Sequence, residues 1–276
     1  MQQVLKTMLE NVRAKTPLVH NITNYVTVND VANVLLAAGG SPIMSDDADD
    51  VEDITSICGG LNINIGTLNK NTIPSMFLAG KKANELGHIV LLDPVGAGAS
   101  RLRTDTANRL MREVRFDAVR GNISEIKTLC TGSGSTKGVD ADAVDAVTEA
   151  NLDDGVQLVK TFAQRAGCIV AVTGAIDLVS DGARCWCIRN GRAEMSRITG
   201  TGCQLSALMT AFLVANPDHK LDAAAAAVCM MGLAGEIGWA NMQPGDGNST
   251  YRNRIIDAIF NMTGDALEEG AKYELR

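Results

Sequence analysis

Short apolar runs recur along the chain, bounded by turn residues. They are Pro17-Leu18-Val19-His20, Leu61-Asn62-Ile63-Asn64-Ile65, Ile89-Val90-Leu91-Leu92, Asp117-Ala118-Val119-Arg120 and Cys168-Ile169-Val170-Ala171-Val172. Runs this short and this unalternating suit strands buried on both faces, as in a parallel sheet. Between them, apolar positions at helical spacing predict helices near 23–38, 71–86, 103–115 and 151–166. Residues 1–15 also mix charge with apolar residues at helical spacing. Alternating strands and helices make βαβ units.

After Thr173 the pattern changes. Asp177–Ser180 and Arg184–Arg189 read as two antiparallel strands joined by the hairpin signal Asp181-Gly182. A helical tail follows over 202–214, 220–242 and 248–270, with the run of alanines at 223–227 a strong helix former. The polar stretch 131–141 reads as a surface loop, and no linker or repeat divides the chain. The expectation is one α/β domain over 1–276, its mainly parallel sheet covered by helices on both faces.

Composition sharpens this picture. Aromatics are only 4% of the 276 residues, against 27 glycines and abundant alanine. That favours close-packed Ala-rich helices on a sheet over an all-β fold. The net charge is −7 without a basic run, so a nucleic-acid partner is not expected. Seven cysteines without a CxxC pair read as free thiols in a reducing compartment. Cys185 and Cys187 alternate in a strand and would turn both thiols to the core. The N-terminus lacks a long apolar segment, and no stretch reaches the roughly 18 apolar residues of a membrane span, so a cytoplasmic location is expected and a membrane partner is not.

In an open parallel sheet, ligands bind outside the carboxyl ends of the strands. Here those ends carry His20-Asn21, Gly66-Thr67, Asp93-Pro94, Gly121-Asn122 and Thr173-Gly174. The sharpest local signal is Thr199-Gly200-Thr201-Gly202-Cys203, two glycines flanking Thr201 just before a strong helix. Successive amides at a helix N-terminus favour an anion. Cys203 falls in the first turn, where a thiol pKa is expected to drop below its free value of about 8.5; the competing reading is a capped helix with a small buried Cys. Neither a Walker A loop nor a Rossmann loop fits. Ile126 replaces the second glycine of the first, and Leu205 the third glycine of the second.

Asp93 ends a buried strand before Pro94-Val95-Gly96-Ala97-Gly98, and Glu125 lies three residues into a helix starting at Asn122. A capping box explains Glu125 on its own. Yet both carboxylates fall at the rim, beside the candidate anion turn, an arrangement suited to Mg²⁺ bridging phosphates. Met44 follows a strand-like Ser41-Pro42-Ile43 near the same rim. The histidines His20, His88 and His219 have no metal-ligand spacing, and His20 reads as structural.

These segments together resemble the hydroxyethylthiazole kinases of thiamin salvage, in the ribokinase-like superfamily, over nearly the whole chain. Asp93-Pro94-Val95-Gly96 and Gly200-Thr201-Gly202-Cys203 recur in related kinases. The block His20-Asn21-Ile22-Thr23-Asn24 and Ser41-Pro42-Ile43-Met44 narrow the match. The resemblance implies a single ribokinase-like domain that phosphorylates 4-methyl-5-(2-hydroxyethyl)thiazole with ATP and Mg²⁺. It implies a homotrimer with substrate sites at the subunit interfaces, where residues 21–26 are the candidate contribution from a neighbour. Met44, Gly200, Asn24 and Val26 would contact the thiazole, and Arg120 and Thr173 the ATP. Thr201 and Gly202 would form the anion-binding turn, Asp93 and Glu125 would orient Mg²⁺ or its waters, and Cys203 would stand where sugar kinases of the superfamily carry a catalytic Asp. Three rivals remain: a related kinase of hydroxymethylpyrimidine, a non-catalytic small-molecule sensor on the same fold, and a hydrolase using Cys203 as nucleophile, which lacks a placed histidine.

Overall fold

A computed structural model describes residues 3–132 and 146–276. Most of the stretch 131–141, read above as a loop, lies outside the described residues. The parallel strands are β1 (Leu18–Ile22), β2 (Ser41–Met44), β3 (Gly60–Asn64), β4 (Ile89–Asp93), β5 (Ala118–Asn122) and β6 (Ile169–Thr173). Three antiparallel strands extend the sheet: β7 (Asp177–Ser180), β8 (Cys185–Ile188) and β9 (Tyr273–Leu275). The sheet order is β2-β1-β3-β4-β5-β6-β7-β8-β9.

The helices are α1 (Val4–Lys15), α2 (Val28–Ala38), α3 (Val51–Ile57), α4 (Thr72–Leu86), α5 (Arg101–Glu113), α6 (Ile123–Thr131), α7 (Leu152–Ala166), α8 (Thr201–Ala215), α9 (Lys220–Ala240), α10 (Asn248–Asn261) and α11 (Gly264–Gly270). Four differences from the sequence reading have local causes. The helix expected from residue 23 begins at Val28, because the Asn24 side chain closes a turn by accepting from the Thr27 amide and hydroxyl. The tail helix expected over 248–270 is two helices. Met262 is extended, and the Thr263 hydroxyl caps α11 by accepting from the Ala266 amide at 3.1 Å. Helix α3 and strand β9 were not foreseen. The seven residues of α3 are masked by the acidic run that precedes them. Strand β9 is three residues long and is held by pairing with β8 and by Tyr273 against Trp186, ring centroids 4.3 Å apart.

Side chains of a strand alternate between faces, and here the two faces belong to separate cores. Ile89, Leu91, Ala118, Ile169 and Ala171 pack with α8 and α9 residues such as Leu205, Phe212 and Ala227. Val90, Leu92, Val119, Val170 and Val172 pack with Phe77, Ala107 and Phe162 on the opposite side. Residues 217–240 do meet the length and apolarity of a membrane span, with mean hydropathy 1.4, contrary to the expectation above. Its apolar window is 78% buried, because α9 is the central helix of one core. The seven cysteines are free, and both thiols of Cys185 and Cys187 are fully buried.

Following the α8-facing positions to the strand ends shows how the rim is made. Ile89 and Leu91 are followed by Asp93, Ala118 by Arg120, and Ile169 and Ala171 by Thr173. On β3 the same face reads Gly60, Asn62 and Asn64. Gly60 is the space-maker: a Cβ there would lie 2.5 Å from a methyl of Val214 on α8. Thus one face turns from apolar to polar in its last residues, directly under the N-terminus of α8.

Candidate active site

The turn before α8 is shaped by glycine. Gly200 has φ +89°, and a Cβ there would fall 2.2 Å from Cγ2 of Thr27, the residue that precedes α2. The early block is therefore pressed against the turn within one chain. A Cβ on Gly202 would come within 2.5 Å of the Arg120 guanidinium, which lies over the first turn of α8. Arg120 donates to the Thr173 hydroxyl at 2.7 Å and stands 3.5 Å from Asp93, while its Nε has no partner. A guanidinium and a helix N-terminus facing the same point concentrate positive charge there.

Asp93 is fully buried. Its Oδ2 accepts from the Asn64 amide at 2.9 Å and the Ser206 hydroxyl at 2.8 Å. Its Oδ1 is buried without a partner. Burial raises the carboxyl pKa, against the opposing pull of Arg120 and its hydrogen bonds. Glu125 completes the expected capping box with Asn122, and it does more. One oxygen accepts from the Asn122 amide at 2.8 Å and the other from the Gly96 amide at 2.7 Å, which ties the glycine loop after β4 to α6. Burial, then the charge of Asp93, pushes Glu125 up to about 7.

Cys203 lies at 8% exposure among Val19, Val31, Leu35, Ala207 and Ala211, with Met44 packed against the same cluster. The Asn24 amide donates to Sγ at 3.1 Å and to Asn64 Oδ1 at 3.1 Å. A continuous chain of hydrogen bonds thus runs from Ser206 through Asp93, Asn64 and Asn24 to Cys203. The expectation of a lowered thiol pKa is overturned. Burial raises it, the charge of Asp93 adds to the rise, and Arg120 and the two amides offset only part. The helix N-terminus is outweighed by desolvation.

The sequence-named residues Asp93, Glu125, Arg120, Thr173, Gly200, Thr201, Gly202, Cys203, Asn24 and Met44 all gather at this rim. Val26 does not join the network and is 56% exposed, beside Tyr25 at 77%. Asn24 reaches Cys203 of its own chain, so the idea that the whole block 21–26 serves a neighbour's site fails for Asn24. Sequence reasoning missed Asn64, Ser206 and Arg103. The polar positions of Leu61-Asn62-Ile63-Asn64, alternating inside a buried strand, were the available signal for Asn64. Arg103 donates to the carbonyls of Gly66 at 2.6 Å and Val95 at 3.4 Å, bridging the loops after β3 and β4.

The model of the hydroxyethylthiazole kinase family matches residues 9–265. The chain belongs to the hydroxyethylthiazole kinase family. It is 57% identical over 271 residues to a hydroxyethylthiazole kinase of Clostridium acetobutylicum, covering 98% of this chain and 99% of that one. It is 48% identical over 265 residues to one from Ruminiclostridium cellulolyticum, covering 96% and 95%. The solved hydroxyethylthiazole kinase of Pyrococcus horikoshii superposes over the whole of both chains with a TM-score of 0.88 at 32% identity. A pyridoxal kinase of Bacillus subtilis, solved as an ADP complex, gives a TM-score of 0.59 at 15% identity over 80% of this chain and 91% of its own. That likeness concerns the fold alone, an α/β ribokinase-like fold with a mainly parallel sheet and helices on both faces.

Proposed function

We propose that this kinase, acting as one domain, transfers the γ-phosphoryl group of ATP to the primary alcohol of 4-methyl-5-(2-hydroxyethyl)thiazole. The observation that carries the reading is the juxtaposition at α8. Its first turn, with Arg120 over Gly202, offers an anion cradle, and the same turn holds Cys203 beside the apolar wall of Met44, Val31 and Leu35. One side suits phosphates and the other a small heteroaromatic ring.

In phosphoryl transfer the protein mainly positions the reactants and neutralises charge. Arg120 and Thr173 take the nucleotide phosphates, and the amides of Thr201 and Gly202 face the group in transfer. Met44, Gly200 and Asn24 bound the thiazole pocket, with Val26 at its outer edge. Asp93 is the fitting Mg²⁺ holder, since its Oδ1 is buried and unpartnered. Both Glu125 oxygens already accept backbone amides, so Glu125 orients the metal's waters and the 94–98 loop. Among the described residues no cluster of three or more Cys, His, Asp or Glu could hold a metal ion. One carboxylate with phosphate and water ligands suits Mg²⁺, which keeps several waters. When bound, the metal neutralises phosphate charge.

Cys203 is a protonated thiol near neutral pH, so it acts first by position. It lies where the substrate hydroxyl must approach, and it accepts from Asn24. A loose transition state needs little early proton removal from the alcohol. We also infer a homotrimer with the site near the subunit interface; Tyr25, Val26, Val28 and Leu36 leave an exposed apolar surface beside the rim. Phosphorus NMR of a mixture of enzyme, ATP, Mg²⁺ and the thiazole tests the reaction. The expected result is one new phosphomonoester signal equal in amount to the ADP formed. ADP without that signal would count against it.

A further inference from the structure

His20 is fully buried in β1, on the face opposite Cys203. Its two ring nitrogens have different partners. Nε2 lies 2.9 Å from the Ser45 carbonyl oxygen and Nδ1 lies 2.9 Å from the Thr55 hydroxyl on α3. A carbonyl can only accept, so Nε2 carries a proton, and because burial lowers the imidazole pKa and keeps the ring neutral, Nδ1 accepts from the Thr55 hydroxyl. The ring is neutral, satisfied on both sides, and joins three segments: β1, the exit from β2 and α3.

The position of Ser45 gives that contact its consequence. His20 pairs with Ile43 in the sheet and Asn21 with Met44, the last residue of β2. At Ser45 the chain leaves the sheet, beyond the ladder that would otherwise fix it. The Nε2–H bond to the Ser45 carbonyl pins the backbone immediately after Met44. The Met44 side chain lies on the other face of the sheet, against the cluster that holds Cys203.

We infer that His20 is a positioning residue for the alcohol substrate: through the Ser45 backbone it sets where Met44 stands in the pocket wall. This rests on the reading of Met44 as part of that wall. It separates the two substrates, because Arg120 on β5 and Thr173 on β6 stand four and five strands away from β2 in the sheet.

The test uses the two amide residues that each reproduce one half of imidazole. The amide of Gln can place an N–H where Nε2–H was, whereas that of Asn reaches only the Nδ1 position. KM for the thiazole and for ATP is measured for the parent, His20→Gln and His20→Asn. His20→Asn should raise the thiazole KM about tenfold while the ATP KM stays within about twofold, the loss expected when a part-buried carbonyl that fixes the pocket wall goes unpartnered. His20→Gln should recover most of that loss. Equal thiazole KM values for the Asn and Gln variants, or a parallel rise in both KM values, would overturn the inference. Should His20→Asn fail to fold, Thr55→Val keeps the volume of the core and removes the hydroxyl that orients the ring. It should raise the thiazole KM alone, and an unchanged value would overturn the inference. Parent turnover of the thiazole tests the underlying reading separately; its complete absence would overturn both.

Discussion

Cys203 shows how a single residue's chemistry is decided by competing terms. Its place in the first turn of α8 argues for an acidic thiol, and its burial beside Asp93 argues the other way and prevails. A protonated thiol accepts a proton poorly. A carboxylate at the same point would meet the same burial and the charge of Asp93, but it starts from a far lower pKa than a thiol and is helped by the Arg120 guanidinium and the helix N-terminus. Cys203→Asp is therefore expected to retain or raise kcat. Cys203→Ser removes only a weak, late proton acceptor and is expected to lower kcat modestly, by about tenfold, short of the roughly 10²–10⁴-fold that a full general base can supply. Steady-state kcat for both variants checks this. A fully active Ser variant beside a dead Asp variant would assign Cys203 to shaping the turn alone.

At the scale of elements, most strands were legible because each is a short, largely apolar run bounded by turn residues; β9, three residues long, was not. The rim residues Asp93, Arg120 and Thr173 were legible because they are the polar residues that close those runs. The buried asparagines were not. Asn64 reads as one more residue of a strand run, and its role depends on Asp93 and Asn24 meeting it from other segments. Glu125 was half legible. Its capping box is local, whereas its bond to Gly96 joins the loop after β4 to α6, 29 residues along the chain. The turn after β6 offers a prediction of its own. The Gly174 amide donates to Asp177 Oδ1 at 2.8 Å, and burial pushes this carboxyl up to about 7. A carboxyl whose folded pKa exceeds its unfolded value near 3.8 binds extra protons when folded, so stability falls as pH rises between those values. Asp177→Asn keeps the Oδ1 acceptor and removes the titration. Its melting temperature relative to the parent should climb from about pH 4 to about pH 7 and level off above. A pH-independent difference would show that Asp177 is not charged at the expense of the fold.

Across the whole molecule, the site is gathered from segments spread from residue 24 to residue 206, and the sheet brings them to one rim. Asn24 and Cys203 meet within a chain, so a subunit carrying Asn24→Ala cannot be completed by one carrying Cys203→Ala. Verified hybrid oligomers of the two should stay as inactive as their parents. Recovered activity would mean that the early block is exchanged between copies in the assembled state. The central claim is the pairing of an anion cradle with a small apolar pocket made for the thiazole alcohol. Its most direct test is the specificity constant kcat/KM for 4-methyl-5-(2-hydroxyethyl)thiazole against that for hydroxymethylpyrimidine, each followed as alcohol-dependent ADP release with ATP and Mg²⁺. A value for the thiazole higher by about a hundredfold or more is predicted, the range a well-fitted small pocket can supply. A preference for the pyrimidine, or ADP release independent of either alcohol, would contradict the account.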